Sequence, residues 1–117
     1  MDRSVLIVDD HPGFRAQARR LLACEGYRVI GEAADCGTAY ECALRLAPEV
    51  ALVDVHLPDG TGFELAQRLR AMDAAPLVIL ISSRDSAELE PCVSASPARG
   101  FIAKAELSRT TIEDLLP

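Results

Sequence analysis

The chain reads as a doubly wound α/β domain, a five-stranded parallel sheet with helices on both faces. Three observations predict it. Short apolar runs alternate with stretches of helical period five times along the chain. The runs are apolar at consecutive rather than alternate residues, as expected for strands buried on both faces. No linker, low-complexity tract or charge block interrupts the pattern, and 117 residues suffice for one compact domain but not two, so residues 1–117 read as a single unit.

Ser4 to Val8 is the first strand, closed by Asp9-Asp10. Pro12 suits the first turn of a helix, where its missing N–H costs nothing. Phe14, Ala18, Leu21 and Leu22 then recur at helical spacing to about Cys24, and Gly26 stops the helix. Tyr27 to Ala33 reads as the second strand. Thr38 with Glu41 three residues on fits a capping box, opening a helix that carries Tyr40, Ala43, Leu44 and Ala47 before Pro48 ends it. Val50 to Val55 is the third strand, apolar on both faces apart from Asp54. Pro58 and two glycines then turn the chain, and Thr61 with Glu64 forms a second capping box. Its helix aligns Phe63, Ala66, Leu69 and Met72 on one face.

Leu77 to Ile81 is the fourth strand. Between residues 85 and 97, Pro91 and Pro97 predict a helix that is short, kinked or split. Phe101 to Ala103 is the fifth strand. Ser108 can cap a last helix, with Leu107 and Ile112 as a hydrophobic staple and Leu115 and Leu116 continuing its apolar side.

Bulk properties narrow the function. A net charge of −6 argues against direct nucleic-acid binding, which needs clustered Lys and Arg. Arg15, Arg19 and Arg20 share a helix with an apolar face and read as a solvated edge. Cys24, Cys36, Cys42 and Cys92 show no metal-binding spacing and read as small buried hydrophobes. No run of apolar residues is long enough to span a membrane, and Val5 to Val8 is too short for a secretory signal; the expected location is cytoplasmic.

Ligands of parallel sheets sit outside the carboxyl ends of the strands, near a topological switch point. That rule gathers scattered residues into one site. Asp9 and Asp10 end the first strand, Asp54 the third and Ser82 the fourth, and Lys104 follows the fifth. Three carboxylates at one edge repel one another unless a proton or cation intervenes. An oxygen-only set suits Mg²⁺ or a similar hard ion, which would also hold an incoming phosphoryl group. Lys104 adds positive charge and Ser82 a hydroxyl donor. The set fits phosphoryl transfer to the Asp54 carboxylate. Taken singly, each residue has a plain alternative: a strand-end Asp as turn or cap, the Asp-Asp pair as a cap for the first helix, the lysine as solvated.

At these residues the chain resembles the receiver domain of two-component response regulators, over essentially its whole length. The matching parts are Val8-Asp9-Asp10-His11-Pro12, Val53-Asp54-Val55-His56-Leu57-Pro58-Asp59-Gly60, Ser82-Ser83 and Phe101-Ile102-Ala103-Lys104. The first of these, with Gly31-Glu32-Ala33, looks most like the subfamily with LuxR-type helix-turn-helix output domains. The resemblance implies a flavodoxin-like (βα)5 three-layer sandwich with sheet order 2-1-3-4-5. It implies that Asp54 takes a phosphoryl group from a histidine kinase or phosphotransfer protein. Asp10, Asp54 and the His56 carbonyl would ligate Mg²⁺, with Asp9 orienting the ion or its waters. Ser82 (or Ser83 in its place) and Lys104 would contact the phosphoryl oxygens. Phe101 would rotate as Ser82 moves, changing the surface of the fourth helix, fifth strand and fifth helix. His56 and Arg84, two residues beyond Asp54 and Ser82, would tune the phosphoryl lifetime. Ala105 stands where the family often has Pro.

The implied role is a signalling module rather than an enzyme. It would control transcription within a longer regulator or act through protein contacts alone, with homodimerisation on phosphorylation open. Two other classes compete. An Asp-nucleophile phosphatase would want an acid two residues after Asp54, where His56 stands. A receiver-shaped interaction module need not retain the acid, hydroxyl and amine set.

Overall fold

The computed structural model describes residues 3–83 and 86–117. Its elements are β1 (Ser4–Val8), α1 (Pro12–Cys24), β2 (Arg28–Ala33), α2 (Cys36–Leu46), β3 (Val50–Asp54), β4 (His56–Leu57), β5 (Gly60–Thr61), α3 (Gly62–Arg70), β6 (Leu77–Ser82), α4 (Ser86–Ala95), β7 (Gly100–Ala103), a 3₁₀ turn (Lys104–Glu106) and α5 (Arg109–Glu113). Five strands form one parallel sheet in the order β2-β1-β3-β6-β7, which is 2-1-3-4-5 in order of the sheet strands. β4 and β5 form a small antiparallel hairpin after β3, an element with no signal in the apolar pattern.

The strands are apolar throughout because both faces are covered. Val5, Ile7, Val50, Leu52, Ile79 and Ile81 pack with Ala18 and Leu22 of α1, Ile112 of α5 and Leu116. Leu6, Val8, Ala51, Val53, Val78 and Leu80 pack on the other side with Ala39, Cys42 and Ala43 of α2, Leu65, Ala66 and Leu69 of α3, and Leu89 of α4. Successive strand residues alternate between the two cores, the period of two that a pleated strand imposes.

Helix starts follow local chemistry, with one correction. Thr61 and Glu64 form the expected capping box of α3. Ser108 caps α5, with Thr111 returning the second bond. α2, however, begins at Cys36: Asp35 is its N-cap and its side chain accepts from the Thr38 N–H, so Thr38 lies inside the first turn. Leu44 is 58% exposed, and Ala47 leaves the helix in a left-handed conformation at φ 47°. Neither joins the core face expected of them.

Two further expectations change in part, and a third holds. Arg19 and Arg20 are exposed as expected of a solvated edge, but Arg15 is half-buried, and the Nε atoms of Arg15 and Arg19 lie 3.2 and 2.7 Å from the Glu32 carboxylate on β2. Cys24 and Cys92 are exposed, whereas Cys36 and Cys42 are buried. α4 takes the first of the forms expected of it, one short ten-residue helix with Pro91 inside it. Among the described residues no helix is long and apolar enough to cross a membrane.

Candidate functional site

The sheet order reverses between β1 and β3, because β2 lies on the far side of β1. This is the switch point where a crevice opens at the carboxyl edge. Val8 pairs with Val53, so Asp9 and Asp54 leave adjacent strands side by side. Asp9 is fully buried and Asp54 is 4% exposed. Ser82 closes β6 and is 1% exposed, in register with Ala103 at the end of β7.

Lys104, just past β7, joins the two acids. Its Nζ lies 2.6 Å from Asp9 Oδ2 and 3.2 Å from Asp54 Oδ2. The contact to Asp54 is a hydrogen bond. The contact to Asp9 is a close ion pair to a fully buried carboxylate. The ammonium also lies 4.6 Å from the centre of the Phe14 ring, a cation–π contact from α1.

His11 completes the cluster. Its backbone N–H donates to Asp9 Oδ1 at 2.8 Å, and its Nδ1 lies 3.1 Å from Asp9 Oδ1 and from Asp10 Oδ1. Ligand atoms of Asp9, Asp10, His11 and Asp54 all fall within 4.8 Å of one another. The carboxylates form a hard-oxygen set, two of them buried and sharing one ammonium. That chemistry fits a cation such as Mg²⁺.

Electrostatics follow from burial and charge. Burial pushes the Asp54 carboxyl up; the His56 N–H, at 3.2 Å from Oδ1, opposes this, Asp9 adds to it and Lys104 opposes it, and the net shift is upward. Burial alone would lower Lys104, but hydrogen bonding and charge from Asp9 and Asp54 outweigh it and raise it. One ammonium therefore serves two buried acids.

The turn after Asp54 is tightly built. The Gly62 N–H donates to the Val55 carbonyl at 2.8 Å. A Cβ on Gly62 would fall 2.5 Å from the Asp54 carbonyl oxygen, so no larger residue fits without moving the end of β3. His56 is exposed, in β4. Asp59, at the hairpin tip, accepts the N–H groups of Cys36 and Gly37, and these two bonds hold its carboxyl below the usual range.

Phe101 pairs with Leu80 across β6 and β7 and is half-buried. It borders a cleft of about 410 Å³ with Glu90, Val93, Ser94 and Arg99. It lies on the α4 side of the sheet, outside the carboxylate cluster. Arg84 lies outside the described residues. Asp9, Asp10, Asp54 and Lys104 thus converge as the strand ends imply, and Ser82 shares their edge. Sequence reasoning overlooked His11, Phe14 and Asp59 as parts of the site. A histidine next to two acids was a usable signal for His11; the other two depend on long-range packing.

With a carboxylate cluster at the switch point of a 2-1-3-4-5 parallel sheet, the chain has the form of a flavodoxin-like α/β domain with an acidic site at its carboxyl edge. Residues 5–115 match the family model of the response regulator receiver domain, and the chain belongs to that family. A LuxR-family two-component response regulator from Aurantimonas sp. SI85-9A1 superposes with a TM-score of 0.87 at 28% identity, covering 98% of this chain and 86% of that one. The signal receiver domain of NarL from Mycobacterium tuberculosis gives 0.83 at 30% identity, covering 97% and 96%. Among curated relatives, the transcriptional regulatory protein NarL of M. tuberculosis H37Rv is 35% identical over 109 residues, 92% of this chain and 50% of NarL. The DNA-binding transcriptional activator EvgA of Escherichia coli K12 is 26% identical over 103 residues, 88% of this chain and 50% of EvgA. The chain spans about half the length of these two relatives.

Proposed function

We propose that residues 1–117 act as one receiver unit whose Asp54 accepts a phosphoryl group from a sensor histidine kinase or phosphotransfer protein. An Asp54 carboxylate oxygen attacks phosphorus, the bond from phosphorus to the donor imidazole breaks, and its electron pair leaves with the imidazole. Asp9, Asp10, Asp54 and the His56 carbonyl would hold Mg²⁺. Once bound, the ion offsets charge on the transferring phosphoryl oxygens.

The residues divide the remaining work. Lys104 opposes the upward push that burial gives the Asp54 carboxyl and is the natural partner of a phosphoryl oxygen. Ser82 supplies a hydroxyl from the neighbouring strand end. His56, exposed beside the site, and Arg84 tune hydrolysis. Phosphorylation adds charge where one ammonium already balances two acids, so Lys104 must redistribute its contacts. That change passes through Ser82 and Phe101 to the α4–β7–α5 face, which controls transcription in a longer regulator or recruits a protein partner, including a second copy of the chain. The acidic balance supports a role without direct nucleic-acid contact, and the working compartment is the cytoplasm.

The observation that carries this reading is the pairing of two buried carboxylates, Asp9 and Asp54, with one shared Lys104. The test is incubation with a small acyl phosphate donor, followed by intact mass measurement. Wild type should gain one phosphoryl group with Mg²⁺ and not with a chelator, and Asp54→Asn should gain none. Equal labelling of Asp54→Asn would discard the assignment.

A further inference from the structure

The hairpin that carries His56 is fastened at both ends. Towards the site, the His56 N–H donates to Asp54 Oδ1 at 3.2 Å, and Gly62 closes on the Val55 carbonyl at 2.8 Å. Away from the site, Asp59 reaches the start of α2. Its Oδ1 accepts the Cys36 N–H at 2.8 Å and its Oδ2 the Gly37 N–H at 3.1 Å.

A helix start leaves four N–H groups without intrahelical acceptors. In α2 one of them is satisfied by the helix's own cap, the Asp35 side chain taking Thr38 N–H at 2.7 Å; the Asp35 carbonyl takes Ala39 N–H at 3.1 Å as the first bond of the helix itself. Two more, those of Cys36 and Gly37, are satisfied by Asp59, 22 to 23 residues away along the chain. Cys36 Sγ, 3.8 Å from the Thr61 carbonyl oxygen, makes a further contact between the same two segments. Two donors and the positive end of the helix dipole call for a charged, two-oxygen acceptor. Asparagine offers one oxygen and no charge.

We propose that Asp59 is a positioning residue: by bridging the hairpin to α2 it fixes the His56 carbonyl relative to Asp54 and so sets the affinity for the divalent ion. This rests on the reading of the site as a Mg²⁺-dependent phosphoacceptor. Asp59 belongs to the hairpin tip rather than to the carboxylate cluster, and acts only through the backbone it holds. It also makes α2 part of the body that presents the site, so a partner that shifts the start of α2 would alter metal binding.

Two caps on one helix end give an internal control. Asp59→Ala and Asp35→Ala each remove a cap of α2, but only the first frees the hairpin. Calorimetric titration with Mg²⁺ should show an affinity about tenfold weaker for Asp59→Ala, an intermediate value for Asp59→Asn, and the wild-type value for Asp35→Ala. Amide hydrogen exchange in chelator should quicken from His56 to Thr61 in Asp59→Ala and not in Asp35→Ala. Wild-type Mg²⁺ affinity in Asp59→Ala overturns the proposed link to the metal, whatever the exchange shows. Equal loss of affinity in both alanine variants overturns it too, because the effect would then be one of helix stability. A wild type that does not bind Mg²⁺ overturns the phosphoacceptor reading instead, and the exchange comparison still decides whether Asp59 holds the hairpin.

Discussion

The carboxyl edge of the sheet and the face built by α4 and β7 are made on opposite terms. At the edge, Asp9, Asp54 and Ser82 are buried, and a lysine held by two acids and a ring joins the first two. At the α4 face, the helix carries Pro91, which has no N–H to give the preceding turn, and a cleft opens beside half-buried Phe101. The difference teaches where rigidity is needed. Phosphoryl acceptance wants oxygen and amine groups held ready, whereas a readout wants two arrangements of similar energy.

The comparison breaks most sharply at Lys104. In Lys104→Met the two buried acids lose their common counter-charge, and metal-free stability at neutral pH should fall by about 3–5 kcal/mol. Because burial has already raised Asp54, protonation relieves the variant as pH falls, so its deficit should shrink on acidification. Urea unfolding across pH checks both, and a deficit that grows on acidification would contradict the charge account.

Gly62→Ala tests the same edge by shape. A Cβ 2.5 Å from the Asp54 carbonyl must push β3 or the hairpin aside, at about 1–3 kcal/mol, with slower phosphoryl acceptance. Denaturation and labelling kinetics should move together.

On the readout side, Pro91→Ala restores a helix N–H and a better helix former. Stability should rise by about 1 kcal/mol, with Mg²⁺ affinity unchanged. A changed affinity would mean that the two regions are not separable.

Tyr27 lies outside both regions and should show the smallest effect. Its hydroxyl donates to Glu113 at 2.9 Å, tying the start of β2 to α5. Burial first, then that bond and the charge of Glu113, push its pKa up to about 12. Its folded value exceeds the unfolded one, so its contribution is complete below about pH 10 and is lost as pH rises through the folded value. Tyr27→Phe should cost about 1 kcal/mol at neutral pH and flatten the alkaline decline of the melting temperature.

Much of the rigid edge was legible in the sequence because its logic is local. A polar residue that ends a run apolar on both faces must lie at the carboxyl end of a parallel strand, and that located Asp9, Asp54 and Ser82, with Lys104 just beyond its run. What escaped depends on distant partners. The cap of α2 was assigned to Thr38 because the pattern Thr-x-x-Glu is complete in itself, whereas Asp35 and Asp59 together serve that helix start. Leu44 has the spacing of a core residue, but the buried face of α2 is Cys36, Ala39, Cys42 and Ala43, which leaves Leu44 outward. Glu32 holds Arg15 and Arg19 across 17 and 13 residues, a pairing visible only once β2 lies against α1. The hairpin of β4 and β5 is too short to show a period.

The central claim is that a change of charge at the rigid edge is felt at the α4–β7 face. Amide chemical shifts recorded with Mg²⁺, before and after beryllofluoride, test it most directly. In wild type the account predicts shifts at Ser82, Phe101 and along α4 as well as around Asp54, and none in Asp54→Asn. Shifts confined to the neighbours of Asp9 and Asp54, with α4 and Phe101 unmoved, would contradict it.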